Sequence, residues 1–112
     1  MRDYIHVSDL AEAHIKAMDA LQENKGVLTC NLGTGKGSSV LEVINVFEEV
    51  TGIKIPFQLA ERRSGDVVEA WANPDFAKKL LRWEAKRELK EMLEDAWNWQ
   101  KKNPLGYKSN EN

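Results

Sequence analysis

The chain has 112 residues, enough for one small domain with a single core and too few for two. Hydrophobic residues make up 42% and charged residues 30%, an ordinary balance for a globular protein. A net charge of −2 supplies no basic field for nucleic acid or an anionic membrane surface, so any anion site must be built from a few placed cations.

Tyr4 to Val7 reads as a short strand. Ser8 or Asp9 is placed to cap a following helix, in which Leu10, His14, Ala17, Met18 and Leu21 recur at helical spacing, and Asn24-Lys25-Gly26 is its stop signal. Val27 to Leu32 is a second strand candidate and leads into NLGTGKGSSV at 31–40. Ser38 or Ser39 then caps a helix with Val40, Val43, Ile44, Phe47 and Val50 inward, closed by Thr51-Gly52. Ile53 to Ala60 is a third strand candidate, and Pro56 marks it as an edge or a strand start.

A polar loop, ERRSGDVVEAW, covers Glu61 to Trp71. Asn73 as cap and Pro74 in the first turn predict a short helix to about Leu81. Leu89, Met92, Leu93, Ala96, Trp97 and Trp99 predict a last helix from Arg87 to about Lys102, stopped by Asn103-Pro104. The KSNEN tail, 108–112, is expected to be disordered. The predicted fold is a single small mixed α/β domain over 1–107, and the four tryptophans are expected in the core or at a docking face.

The single cysteine, Cys30, permits no intrachain disulfide, suits a reducing compartment such as the cytoplasm, and is expected to be an inert buried thiol. No run has the length of a membrane span. Charged Arg2 and Asp3 directly follow Met1, so no signal peptide is expected. The dense stretch RDYIHVSDLAEAH at the very start suggests a chain cut into rather than a natural beginning. His6 and His14 lack partners at metal-ligand spacing, and neither serine pair has a base at triad spacing.

The glycine-rich loop has the right strand-to-helix context for phosphate but the wrong residues. A P-loop ends in GK followed by Ser or Thr, whereas here Lys36 precedes Gly37. A dinucleotide fingerprint needs a third glycine where Ser38 stands. The loop therefore reads as a tight turn.

A better anion site is Glu61-Arg62-Arg63-Ser64-Gly65-Asp66. A guanidinium fork suits a phosphate, a carboxylate can accept from the vicinal hydroxyls of a ribose, and Gly65 lets the backbone turn. On chemistry alone, a solvated loop with local ion pairs is an equal alternative. Arg2 is a second cation.

RDYIHVSDLAEAHIKAM, NLGTGKGSSVLEVINVFEEVTG, IPFQLAERRSGD, WANP and EDAWNWQKKNPLGY, in that order, resemble the C-terminal part of the UDP-glucose 4-epimerase family of extended short-chain dehydrogenase/reductases. The resemblance covers all but the tail. It implies the C-terminal substrate-binding portion of such a fold, with the Rossmann core largely absent. Family members interconvert UDP-glucose and UDP-galactose through hydride exchange with a tightly held NAD. It implies further that NAD and the catalytic tyrosine and lysine belong to a missing N-terminal domain, since no Y-x-x-x-K occurs here. No catalytic, cofactor-binding or metal residue is therefore expected in this chain.

By the same resemblance Arg2 and Arg63 match the arginines that contact the UDP phosphates. Asp66 matches the carboxylate that binds the uridine ribose, and Ser64 and Gly65 complete that loop. Ala70 stands where the family often has a tyrosine or cysteine that limits sugar size, which implies room for N-acetylated UDP-hexosamines. Three readings follow: a fragment inactive on its own, a stand-alone UDP-sugar-binding or docking module, and another nucleotide-sugar enzyme. The parent enzyme is expected to be a homodimer that binds UDP-glucose and UDP-galactose, with neither nucleic acid nor membrane as partner.

Overall fold

The computed structural model describes residues 1–23 and 26–107. Its four helices are α1 (Val7–Glu23), α2 (Val40–Thr51), α3 (Asp75–Leu81) and α4 (Leu89–Lys102). They pack as two pairs, α1 with α3 and α2 with α4.

Local chemistry sets the helix ends. The Ser39 hydroxyl accepts from the Glu42 N–H at 3.1 Å, and Gly52 closes α2 with φ of 73° while its N–H donates to the Glu48 carbonyl. Pro74 precedes α3, and the Asn73 side-chain oxygen accepts from the Asp75 N–H at 3.1 Å. The Asn103 N–H donates to the Trp99 and Gln100 carbonyls at the end of α4. The predicted stop at Asn24-Lys25 and the predicted tail at 108–112 lie outside the described residues.

The core is small: Ala13, Ala20, Ala77, Leu81 and Trp83. Alanines on the facing sides of α1 and α3 let the two backbones approach closely. Trp83 fills the space beside them and donates its indole N–H to the Asp9 carbonyl at 2.9 Å. Between α2 and α4, Phe47 meets Trp97 edge-on, with ring centres 5.5 Å apart.

Two expectations are corrected. Among the described residues the three predicted strands do not form, so the structure is helical rather than mixed α/β, and the β pairing consists of isolated bridges from Arg2 to Ser38 and to Ala70. Leu28, Cys30 and Leu32 still pack inward alternately, in strand fashion. An extended segment becomes a strand only when a neighbouring backbone takes up its N–H and C=O groups, and among the described residues no backbone ladder forms along 27–32 or 53–60. Cys30 is consequently half-buried instead of buried. On α1, whose helical spacing holds, the buried residues are Asp9, Ala13 and Ala20, and His14, Met18 and Leu21 are exposed.

The molecule is also open. A compact monomer of 12.8 kDa exposes about 6,300 Å² and has a radius of gyration of about 13 Å; this chain exposes 9129 Å² and has a radius of 17.4 Å. Val7, Ile15, Met18, Leu59 and Tyr107 are all more than half exposed. No helix among the described residues is long and apolar enough to cross a membrane.

Candidate functional site

The N-terminal segment lies between two others. Arg2 exchanges backbone hydrogen bonds with Ser38, N to O at 2.9 Å and O from N at 2.7 Å, while the Ala70 N–H donates to the Met1 carbonyl at 2.8 Å. Residues 1–3 are thereby held against the end of the glycine loop on one side and against 68–70 on the other.

Asp3 anchors this arrangement. Its carboxylate accepts the Thr34 N–H (3.0 and 3.1 Å), the Thr34 hydroxyl (2.6 Å), the Gly35 N–H (3.0 Å) and the Ala72 N–H (3.3 Å). Burial works to raise its pKa, but these hydrogen bonds outweigh it and hold the carboxyl below its ordinary value. The donors of the glycine loop are thus directed at a carboxylate of the same chain. They form no phosphate cradle, and these residues do not fit a dinucleotide.

The predicted anion site lies on the opposite side of Arg2. Arg63 to Asp66 form a tight turn, with the Asp66 N–H donating to the Arg63 carbonyl at 3.1 Å. Gly65, third in the turn, has φ of 78°, which a type II turn reserves for glycine. Ser64 is the other central residue and is exposed. Arg2, Arg62, Arg63 and Asp66, with Tyr4 and Ser38, line an open groove of about 350 Å³. Arg2 donates to Asp66 Oδ1 at 2.8 Å, and to the carbonyls of Met1 and Val67 at 2.9 and 3.1 Å. The Arg63 guanidinium is exposed and pairs with no side chain among the described residues. The structure therefore brings Arg2 to Arg63 and Asp66, which lie more than 60 residues further along the chain. Ala70 is exposed beside Arg2, outside the groove lining.

Two further clusters escaped the sequence reading. Asp9, fully buried, accepts from the Arg87 guanidinium at 2.7 Å and from the backbone N–H groups of Lys86 and Arg87 at 3.2 and 3.0 Å. Burial pushes its pKa up, but the hydrogen bonds from Arg87 and Lys86 and the Arg87 charge prevail and hold it low. His6 is buried, accepts from the Ser8 N–H at 3.0 Å on Nδ1, and contacts Asp95 through Nε2 at 2.7 Å. Sequence separations of 78 and 89 residues leave no local pattern for either. Among the described residues no group of three or more His, Cys, Asp or Glu could hold a metal ion.

No protein-family model matches the chain. Among curated proteins it is 51% identical over 111 residues to the UDP-glucose 4-epimerase of Bacillus subtilis, covering 99% of this chain and 33% of that protein. It is 50% identical over 108 residues to that of Pasteurella multocida, covering 96% of this chain and 32% of that protein. Among solved structures, the UDP-glucose 4-epimerase from Stenotrophomonas maltophila with bound NAD and formylated UDP-arabinopyranose superposes with a TM-score of 0.88 at 42% identity. That match covers 94% of this chain and 31% of the other. The enzyme from Bifidobacterium longum in complex with NAD+ and UDP gives 0.86 at 44% identity, over 94% and 31%. The chain matches the C-terminal portion of these proteins and spans about one third of their length. By sequence and by fold, the chain belongs to the UDP-glucose 4-epimerase family of short-chain dehydrogenase/reductases.

Proposed function

We propose that this chain is the UDP-sugar-binding portion of an NAD-dependent UDP-glucose 4-epimerase and that it does not epimerise on its own. The observation that carries the reading is the groove in which Arg2, Arg63 and Asp66 meet. Two guanidiniums suit the pyrophosphate of a nucleoside diphosphate, and a carboxylate suits the ribose hydroxyls. NAD supplies hydride chemistry in relatives whose structures hold it, and a protein of this kind must bind and orient that cofactor. The glycine loop here gives its donors to Asp3, so NAD is assigned to the rest of the enzyme.

The open architecture supports the same reading. The exposed apolar side chains of α1 and the extended segments that join no ladder among the described residues are what a portion packed beneath a Rossmann domain would present when alone. A homodimer of the complete enzyme would then be formed by that other domain.

Titration of the isotope-labelled chain with UDP, followed by NMR, tests the proposal. The expected result is weak saturable binding with shifts at Arg2 and at 62–68, reduced about tenfold by Arg63→Ala. Absence of shifts at these residues at saturating UDP, or unchanged affinity in Arg63→Ala, would sink it. Epimerisation by the isolated chain with added NAD would overturn the claim of inactivity.

A further inference from the structure

Resting on that reading, we infer that Arg2 is a positioning residue for the ribose carboxylate as well as a phosphate contact. Its guanidinium is not a free cation waiting for an anion. Nη1 donates to the carbonyls of Met1 and Val67, and Nη2 donates to Asp66 Oδ1 at 2.8 Å. The planar fork makes these bonds from one rigid group, so fixing Nη1 on two carbonyls fixes the direction of Nη2. Asp66 ends an exposed turn whose backbone is tied by one hydrogen bond, to Arg63, and Arg2 is the only ion-pair partner of its carboxylate among the described residues.

The second oxygen, Asp66 Oδ2, has no partner among the described residues, nor does Arg2 Nε–H. One end of the pair therefore keeps an acceptor for a hydroxyl while the other keeps a donor for a phosphate oxygen. Arg2 is itself fixed through its backbone between Ser38 and Ala70, so the position of the ribose site is set by the 1–3 segment and not by the 62–66 loop alone.

Uridine, which carries no phosphate, separates the two roles of Arg2. In NMR titrations of the full chain, Arg63→Ala should weaken UDP and leave uridine unchanged. Arg2→Ala should weaken both, uridine by about threefold to fivefold, as befits loss of a partly exposed ion pair. Arg2→Lys keeps the charge but has one nitrogen where the fork has three, and should lose uridine affinity as Arg2→Ala does. In an Asp66→Ala background, Arg2→Ala should cost no further uridine affinity, the signature of action through Asp66. Amide spectra of each variant report whether the fold survives. If wild-type chain binds UDP and Arg63→Ala weakens it, while Arg2→Ala leaves uridine affinity unchanged, the positioning role is overturned and the UDP-site reading stands. If the wild-type chain binds neither compound, both fall.

Discussion

Asp3 and Thr34 are joined by three hydrogen bonds, from the Thr34 N–H to both carboxylate oxygens and from its hydroxyl to Oδ1 at 2.6 Å. A glycine-rich strand-to-helix loop ordinarily offers its N–H groups to an external anion. Here a side chain supplies the negative charge from within, and the loop becomes the support on which Arg2, the residue before Asp3, is mounted.

That relationship makes the groove acid-sensitive. The folded-state pKa of Asp3 lies below its ordinary value of 3.8, so its stabilising contribution is complete above that value and is lost as pH falls through the folded pKa. Asp3→Asn should lower the thermal midpoint at pH 7, and the gap from wild type should close as pH drops below about 4. Thermal melts of both proteins from pH 7 to pH 2 measure this, and a gap independent of pH would show that the carboxylate charge plays no part.

Two glycines near the site should fail for different reasons when replaced by alanine. A Cβ on Gly33 would stand 2.6 Å from Asp3 Oδ2 and 2.7 Å from the Ala72 Cβ, so Gly33→Ala should cost about 2 kcal/mol or more through displacement of the Asp3 clamp. Gly65 has open space around it but φ of 78°, so Gly65→Ala should cost about 1 kcal/mol through backbone strain alone. Urea denaturation of both variants should rank Gly33→Ala as the worse, and the reverse order would contradict the packing at Asp3.

Asp9 ties α1 to the segment between α3 and α4. Its replacement by alanine strips acceptors from the backbone at Lys86 and Arg87 and removes the nearest partner of the Arg87 guanidinium, which keeps Glu12 at 3.3 Å. Asp9→Ala should lose about 3 kcal/mol, a large share of the margin of a small domain. Asp9→Asn, which keeps an acceptor oxygen, should lose less. Equilibrium denaturation of the two variants checks the order.

The helices and the Arg63–Asp66 loop were legible in the sequence because their signals are local: Ser39 and Gly52 at the ends of α2, Asn73-Pro74 before α3, Gly65 in its turn. The strands were misread for the opposite reason. Val27 to Leu32 has the residues and the alternation of a strand, but strand formation is a property of two segments, and no second segment pairs with it among the described residues. The periodicity of α1 marked a helix without saying which of its faces is covered. The large apolar Met18 and Leu21 are exposed, while the small alanines and Asp9 are buried. Asp3 gave no signal at all, since its partners lie 31 and 69 residues away.

On the UDP-sugar reading, Ala70 is the position that selects the sugar. Its backbone N–H is held by the Met1 carbonyl and it pairs with Arg2 as an isolated parallel bridge, so its Cβ is fixed next to the groove by the same segment that fixes Arg2. The methyl is small and exposed. On the UDP-sugar reading, the wild-type chain should bind UDP-N-acetylgalactosamine about as well as UDP-galactose. Ala70→Tyr should weaken the N-acetylated sugar about tenfold relative to the other, because a phenol would occupy the volume the acetyl group needs. The ratio of the two dissociation constants, measured by NMR titration in wild type and variant, is the readout. Arg63→Ala should lower both affinities together and leave that ratio unchanged, which separates loss of the phosphate contact from a change in sugar selection. A ratio unaltered by Ala70→Tyr would remove position 70 from the sugar pocket.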